Sequence, residues 1–238
     1  MPGSEKSGQR VPSGTICDLA SDIGIVVVCV WMGYLVYSYK IGRISGEGKP
    51  SLLAIEFLPA PSGSEHYKWK STSVYTVVNY FSMDCPHCRA LDTIEAENKD
   101  SYQKAFSLIY RHSPLAIHPL SAGKAVIAEC VYSQSGDEKM FAFISDTYAN
   151  YQASARDNNW VMDIAKKYVP DTKNLTECSS SDSMKKKIEQ QKLEALSYGV
   201  NGTPTIGVFK DETLGFRLDT RGETIIKRVM DYLASEVK

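Results

Sequence analysis

A short run of mostly apolar residues in the first half of the chain predicts a buried β-strand. Residues 74–81 read Val-Tyr-Thr-Val-Val-Asn-Tyr-Phe, which is apolar on both faces, as a central strand should be. A helix-like run extends from Arg89 to about Lys104, and residues 105–110 have the composition of a second strand. A strand–helix–strand order predicts a parallel pair joined by a right-handed crossover.

The next region has helical periodicity, with apolar residues three and four positions apart. It predicts helices over residues 121–132, 137–151, 158–168 and 183–198, the last of them ended by Gly199. The pattern then returns to strands at residues 205–209 and 215–218, and a final helix is predicted over residues 222–237. The whole is therefore an α/β chain in which a helical block separates two sets of strands.

A different pattern precedes this region. Residues 1–22 form a polar N-terminal tail, and residues 23–39 contain no charged side chain, which is close to the lower length limit of a membrane span. We expect an uncleaved transmembrane anchor there, with a cleaved signal peptide and a buried core helix as alternatives. Residues 40–68 are predicted to be a tether, with a possible first strand at residues 52–58. Lys and Arg residues flank the apolar segment about equally, so charge does not predict its orientation.

Composition narrows the possible functions. The chain has 238 residues and a formal net charge of −1, so it lacks the basic excess of a nucleic-acid-binding protein. Its six cysteines are too few for a small scaffold that disulfides alone hold together. They suffice for one reactive pair and one structural bridge.

The chemically informative stretch lies between the first predicted strand and its helix, at Cys85-Pro86-His87-Cys88. A Cys-x-x-Cys at such a junction is typical of a thiol–disulfide redox site. The helix N-terminus favours the thiolate of Cys85, Pro86 suits the first helical position, and His87 can add a positive charge. Half of a zinc site is the alternative, but a zinc site usually needs a second ligand pair at similar spacing.

A second informative stretch is Val200-Asn201-Gly202-Thr203-Pro204-Thr205. A proline that opens a strand after a glycine-containing turn is a candidate for a cis peptide bond. An ordinary trans proline at the start of an edge strand is the alternative. The segment alone does not decide between them.

These segments together resemble the DsbA-like thiol oxidoreductases of the thioredoxin superfamily. Cys85-Pro86-His87-Cys88 resembles their active site, residues 110–119 resemble the strand exit and loop that follow it, and residues 199–205 are similar to their cis-proline loop. The resemblance covers about residues 70–236. It implies a thioredoxin-like domain made of residues 69–112 and 199–238, with a helical domain of residues 113–198 inserted between its halves.

The resemblance also implies an activity. Cys85 would be the nucleophile and the more exposed sulfur, Cys88 the buried resolving thiol, and Pro86 and His87 would stabilise the Cys85 thiolate. Thr203 and Pro204 would lie against Cys85 and bind substrate, and neither a metal nor an organic cofactor is implied. The expected enzyme introduces or exchanges disulfides in reduced or unfolded secreted proteins. It would act outside the cytoplasm, and a membrane reoxidant of the DsbB or VKOR type would restore its disulfide.

Other points remain open at this stage. Similar cysteines in some DsbA-like proteins imply a structural disulfide between Cys130 and Cys178, with two separate buried thiols as the alternative. Glu95 is a candidate for an acidic residue behind the active site. An isomerase or reductase of the same fold, a non-catalytic binding module, and a zinc protein that uses Cys85, Cys88, Cys130 and Cys178 are the competing functions.

Overall fold

The computed structural model describes residues 58–62, 65–154, 157–219 and 222–236. Strands and helices are numbered below in chain order within these residues. The strands are β1 (His66–Trp69), β2 (Tyr75–Phe81), β3 (Ser107–His112), β4 (Thr205–Lys210) and β5 (Thr213–Asp219). The helices are α1 (Pro86–Glu97), α2 (Lys99–Ala105), α3 (Ser121–Ala149), α4 (Tyr151–Ser154), α5 (Asn158–Ala165), α6 (Thr172–Ser180), α7 (Asp182–Ser197) and α8 (Glu223–Glu236).

The strands form one mixed sheet with the order β1-β3-β2-β4-β5, so β2 is central. β2 pairs with β3 in parallel, with Phe81 opposite His112, and the other neighbouring strands are antiparallel. The parallel pair follows from the helical connection between β2 and β3, because only a crossover can return the chain to the same edge. As a result, β2 and β3 end at the same edge of the sheet, and β2 runs there into the Cys-x-x-Cys segment.

Both faces of the sheet are covered, as the apolar pattern of β2 requires. Val77 and Phe81 belong to the larger core cluster, which includes apolar residues of α1, α3 and α8. Val78 and Tyr80 point to the other face and pack in a smaller cluster with Ala195 of α7. The central strand is thereby fixed from both sides, which gives the loop after it a rigid base.

Helices α3 to α7 stand between β3 and β4 in the chain and form the inserted block that the periodicity predicts. The predicted helices at residues 121–132 and 137–151 correspond to α3, which has one non-helical residue, Gly136, with φ 74° and ψ −176°. Glycine accepts this positive φ at little cost, so the break occurs where the sequence provides one. The short α6 is not among the helices that the periodicity predicts.

Two boundaries differ from the sequence-based prediction. The helix predicted from Arg89 to Lys104 is divided at Asn98, whose side-chain amide donates to the Ile94 carbonyl oxygen at 2.8 Å and ends α1. The sheet also contains an edge strand that was not predicted, β1, because His66–Trp69 lies mostly within the predicted tether of residues 40–68. Four residues with a register shift against β3 are too few to give a clear alternation.

The expected membrane anchor at residues 23–39 lies outside the described residues, and so does the possible strand at residues 52–58 apart from Leu58, which is not in a strand. Within the part of the chain that the structure describes, none of the helices has the length and apolar character needed to span a membrane.

Candidate active site

Cys85 lies at the junction between β2 and α1. Its backbone is extended, with φ −85° and ψ 120°, and it caps the N-terminus of α1, with Pro86 in the first turn. Pro86 needs no hydrogen-bond partner for a backbone N–H, so it starts the helix without leaving a donor unsatisfied. The Cys85 sulfur therefore lies at the positive end of a helix dipole, where an anion is stabilised.

The Thr203–Pro204 segment contacts this cysteine although it is distant in sequence. The Thr203–Pro204 peptide bond is cis, and the Cys85 Sγ lies 3.1 Å from the Thr203 carbonyl oxygen, to which it donates a hydrogen bond when it is protonated, across a sequence separation of 118 residues. Two segments that the sequence analysis singled out for separate reasons are thus in direct contact. The substrate-binding role assigned to Thr203 and Pro204 remains a prediction.

The two cysteines have opposite acidities. The hydrogen bond from Cys88 is the main reason why the pKa of Cys85 falls to about 5, and the Thr203 side chain and the backbone of Cys88 and His87 lower it further, against the effect of burial. Burial raises the pKa of Cys88 well above its ordinary value, and the neighbouring Cys85 sulfur raises it further. At neutral pH, Cys85 is therefore a thiolate and Cys88 a thiol that donates to it.

Exposure does not separate these cysteines as the sequence analysis expected. The exposed fraction is 3% for Cys85 and 2% for Cys88, so Cys85 is hardly the more exposed residue. The reason is the close approach of the Thr203–Pro204 segment, which covers the Cys85 sulfur. What distinguishes the nucleophile is its hydrogen-bonding environment.

His87 contributes in a different way from the one predicted. Its backbone is among the groups that lower the pKa of Cys85, whereas its side chain extends from the helix and its Nδ1 lies 3.0 Å from Glu223 Oε2. The His87 side chain is 45% exposed, so it contacts water and Glu223 and not the Cys85 sulfur directly. Pro86 is exposed beside it.

The inserted helices hold the loop of residues 82–84, which carries Cys85. The Ser82 Oγ is 2.6 Å from the Ser121 Oγ, and the Tyr148 hydroxyl donates to the Ser82 carbonyl oxygen at 3.1 Å. The Tyr151 hydroxyl donates to the Asp84 carbonyl oxygen at 2.8 Å. The loop is therefore positioned by side chains from α3 and α4.

A buried ion pair reinforces this attachment. Lys124 of α3 is fully buried, and its ammonium group donates to the carboxylate of Asp84, the residue before Cys85. Removing one partner of such a pair is strongly destabilising, because the remaining charge is then buried without a partner or water. Lys124 is not among the residues predicted from the sequence, although a lysine beside Ala125-Val126-Ile127-Ala128 on a helix is a signal of a buried partner.

A second polar cluster lies inside the larger core. The Lys68 ammonium group donates to Asp92 Oδ1 and to Glu95 Oε2, each at 2.6 Å, and the Tyr110 hydroxyl also donates to Glu95 Oε2 at 2.6 Å. Glu95 is fully buried, and burial raises its pKa while Lys68 opposes the rise. Glu95 was a candidate from the sequence, whereas Lys68 and Asp92 were not identified as its partners.

A second pair of cysteines in the described residues forms a disulfide. Cys130 of α3 and Cys178 of α6 are bonded, with their Cα atoms 5.9 Å apart. These sulfurs are consequently not free to join Cys85 and Cys88 in a four-cysteine zinc site. Within the described residues, no group of three or more His, Cys, Asp or Glu side chains is placed to hold a metal ion.

Comparison with known proteins identifies a family and a fold in which a Cys-x-x-Cys segment and a cis-proline loop are expected together. A family model described as Thioredoxin matches residues 65–213, and no curated protein sequence matches the chain. Among solved structures, alpha-DsbA1 of Wolbachia pipientis superposes with a TM-score of 0.59 at 17% identity, covering 75% of this chain and 94% of that one. DsbA2 of Pseudomonas aeruginosa gives 0.54 at 22% identity, covering 76% and 98%. Oxidised BdbD of Bacillus subtilis gives 0.58 at 16% identity, covering 74% and 97%.

Proposed function

We propose that this protein is a thiol–disulfide oxidoreductase that acts as an oxidant. The chain belongs to the thioredoxin family and has the DsbA-like fold. The family and the fold support the enzyme class, which is also the class predicted from the sequence. The direction of the reaction rests on one observation about the site, the acidity of Cys85.

The low pKa of Cys85 favours the oxidant. A thiolate that the protein stabilises at neutral pH makes the reduced form more stable, and the disulfide is then more easily reduced by a substrate. A pKa of about 5 means that Cys85 is almost wholly ionised at pH 7. The Cys85–Cys88 disulfide therefore tends to pass to the substrate.

The reaction follows from the two acidities. A substrate thiolate attacks the Cys85 sulfur of the oxidised protein, the Cys85–Cys88 bond breaks, and the electron pair leaves on Cys88, which takes up a proton. A second substrate thiolate then attacks the substrate sulfur of the mixed disulfide and expels Cys85 as a thiolate. The substrate is oxidised to a disulfide, and the protein is left as the dithiol. The main chain at Thr203, in contact with Cys85, would pair with an extended substrate segment.

Redox measurements test this proposal. The potential of Cys85–Cys88 against a glutathione buffer should be more positive than about −200 mV, nearer to the oxidising than to the reducing members of the superfamily. The oxidised protein should also convert a reduced dithiol peptide to its disulfide. A potential near about −270 mV with rapid insulin reduction would identify a reductase instead. Catalysed reshuffling of scrambled disulfides without net oxidation would identify an isomerase. A Cys85–Cys88 pair that neither oxidises the peptide, reduces insulin nor reshuffles disulfides would indicate a binding module.

The cellular setting forms a second part of the proposal. The apolar segment 23–39 supports a membrane tether, and a disulfide between Cys130 and Cys178 is in keeping with an oxidising compartment. The catalytic domain would then lie outside the cytoplasm, act on reduced secreted proteins, and be reoxidised by a membrane protein of the DsbB or VKOR type. Protease protection in intact cells tests the location. Digestion of residues 58–236 only after the membrane is opened to the cytoplasm would contradict it.

A further inference from the structure

Arg89 lies next to the reactive sulfur in a position that the proposed reaction does not yet use. Its backbone N–H donates to the Cys85 carbonyl oxygen at 3.1 Å, so it lies one helical turn after Cys85. The Arg89 side chain is partly exposed and leaves α1 at the end of the helix that carries the thiol.

Tyr151 of α4 fixes where the Arg89 side chain goes. The guanidinium carbon lies 4.7 Å from the centre of the Tyr151 ring, and the Tyr151 hydroxyl donates to the carbonyl oxygen of Asp84. Burial raises the pKa of Tyr151, the charges of Asp84 and Cys85 raise it further, and Arg89 lowers it. The phenol is therefore within electrostatic range of both the sulfur and the guanidinium.

Arg89 also differs from the other charged residues around the thiol. Asp84 is paired with Lys124, and Glu223 is paired with His87. Within the described residues, the only side-chain interaction that Arg89 makes is its contact with the Tyr151 ring. A guanidinium that stacks on an aromatic ring keeps its edge N–H donors available, in a planar arrangement that fits a carboxylate.

From this arrangement we infer that Arg89, held on Tyr151, forms a subsite that binds an acidic side chain of the substrate polypeptide next to the cysteine being oxidised. The inference rests on the proposed oxidoreductase function and adds the substrate class to it. Cys85 and Arg89 are separated by about 6 Å along the helix axis, and an extended chain advances about 3.3 Å per residue. The preferred carboxylate should accordingly lie about two residues from the substrate cysteine.

The test uses three reduced dithiol peptides that differ only at the positions two residues outside each cysteine, where they carry Glu, Gln or Lys. Oxidation of each peptide by the oxidised full-length protein is followed in a single turnover at low ionic strength. The wild-type protein should oxidise the Glu peptide about threefold faster than the Gln peptide, as expected for a partly exposed ion pair. The Lys peptide should be the slowest, and added salt should bring the rates together.

Variants assign the effect to one side chain. Arg89→Gln should make the Glu and Gln peptides equal, and Arg89→Glu should invert their order. Lys99→Gln removes the same charge from an exposed residue just beyond the other end of α1, and it should keep the preference. Because each result is a ratio of two peptides within one variant, any change in the reactivity of Cys85 cancels.

The outcomes separate this inference from the function on which it rests. Equal oxidation of the Glu and Gln peptides by the wild-type protein would overturn the subsite while leaving the oxidant intact. A Glu preference that survives in Arg89→Gln would also overturn it. No oxidation of any of the three peptides would overturn the proposed function, and the subsite with it.

Discussion

The Cys85–Cys88 pair and the Cys130–Cys178 pair differ in chemistry although burial does not separate them, since Cys85, Cys88 and Cys130 are buried and Cys178 is partly buried. Cys85 is 3% exposed and Cys130 is fully buried. Cys85 and Cys88 are free thiols at a strand–helix junction, with opposite pKa shifts, whereas Cys130 and Cys178 join two helices through a bond that spans 48 residues. Burial therefore does not mark a reactive cysteine in this protein. Hydrogen-bond donors directed at the sulfur do.

The largest expected contrast is in activity. Cys85→Ser should reduce peptide oxidation to the rate without protein, because the variant cannot form the Cys85–Cys88 disulfide that the substrate thiolate attacks. Cys130→Ser should leave most of the activity of each folded molecule. A single-turnover oxidation assay on both variants, with the folded fraction measured by circular dichroism, makes the comparison. Equal losses would show that the two pairs do not have separate roles.

The next largest effect concerns α3, the helix that serves both pairs through Lys124 and Cys130. Lys124→Met should lower the free energy of unfolding by about 3–5 kcal/mol, because it leaves the Asp84 carboxylate buried without its partner. Urea denaturation measures this loss. The matched control is the double variant Lys124→Met with Asp84→Asn, which removes both charges and should recover much of the stability. No recovery would mean that the two charges are not coupled as the structure indicates.

Removal of the helical disulfide should have a somewhat smaller effect on stability. Replacing Cys130 and Cys178 together by Ala should cost about 2–4 kcal/mol, since the bond restricts a long loop of the unfolded chain. The redox potential of Cys85–Cys88 should stay the same, and a glutathione titration of the double variant checks it. A shifted potential would show that the bond acts on the active site through the helices.

The pH dependence tests the cause of the Cys85 acidity. The thiolate absorbance of the reduced protein should titrate with a midpoint of about 5. Because this pKa is depressed on folding, its contribution to the stability of the reduced form is complete above the unfolded pKa of about 8.5 and is lost as the pH falls through about 5. The oxidised protein has no Cys85 thiolate and lacks this contribution, so the reduced protein should gain stability relative to the oxidised protein from pH 5 to pH 8.

Cys88→Ala provides the control for that titration. It removes the hydrogen bond that is the largest cause of the low pKa of Cys85, so the midpoint should rise. An unchanged midpoint would assign the acidity to the helix N-terminus instead.

The smallest expected effect is that of His87→Ala. The His87 backbone, which the substitution keeps, contributes to the low pKa of Cys85, and the partly exposed side chain pairs with Glu223. We therefore expect the pKa of Cys85 to change by less than about one unit, a difference of about 1.4 kcal/mol or less. A larger rise in the thiolate titration would restore the role that the sequence suggested for the His87 charge.

Local sequence patterns were sufficient to predict the elements that form from neighbouring residues. These are the apolar strand β2, the inserted helices with their helical periodicity, and the glycine-containing turn before Pro204. The family resemblance then indicated how these elements are arranged in one fold. The strand β1 was missed because a short edge strand is stabilised by its partner β3 rather than by its own composition.

The candidate site shows the same limit. Cys85 and Cys88 are three positions apart, a recognisable spacing, so they could be identified without coordinates. Tyr151 and Lys68 could not, because their contacts with residues 84 and 95 bridge distant parts of the chain. Buried charges such as Lys124 are an intermediate case, in which the sequence shows that a partner must exist but does not say which residue it is.

The attachment of residues 82–84 to the inserted helices has a consequence for protein engineering. Ser121, Lys124, Tyr148 and Tyr151 all contact the loop that precedes Cys85, and all of them come from the insert. Grafting Cys85-Pro86-His87-Cys88 onto a thioredoxin without such helices would transfer the motif without its support. A chimera that exchanges α3 and α4 as a unit, leaving the motif unchanged, is the more promising way to retune the enzyme.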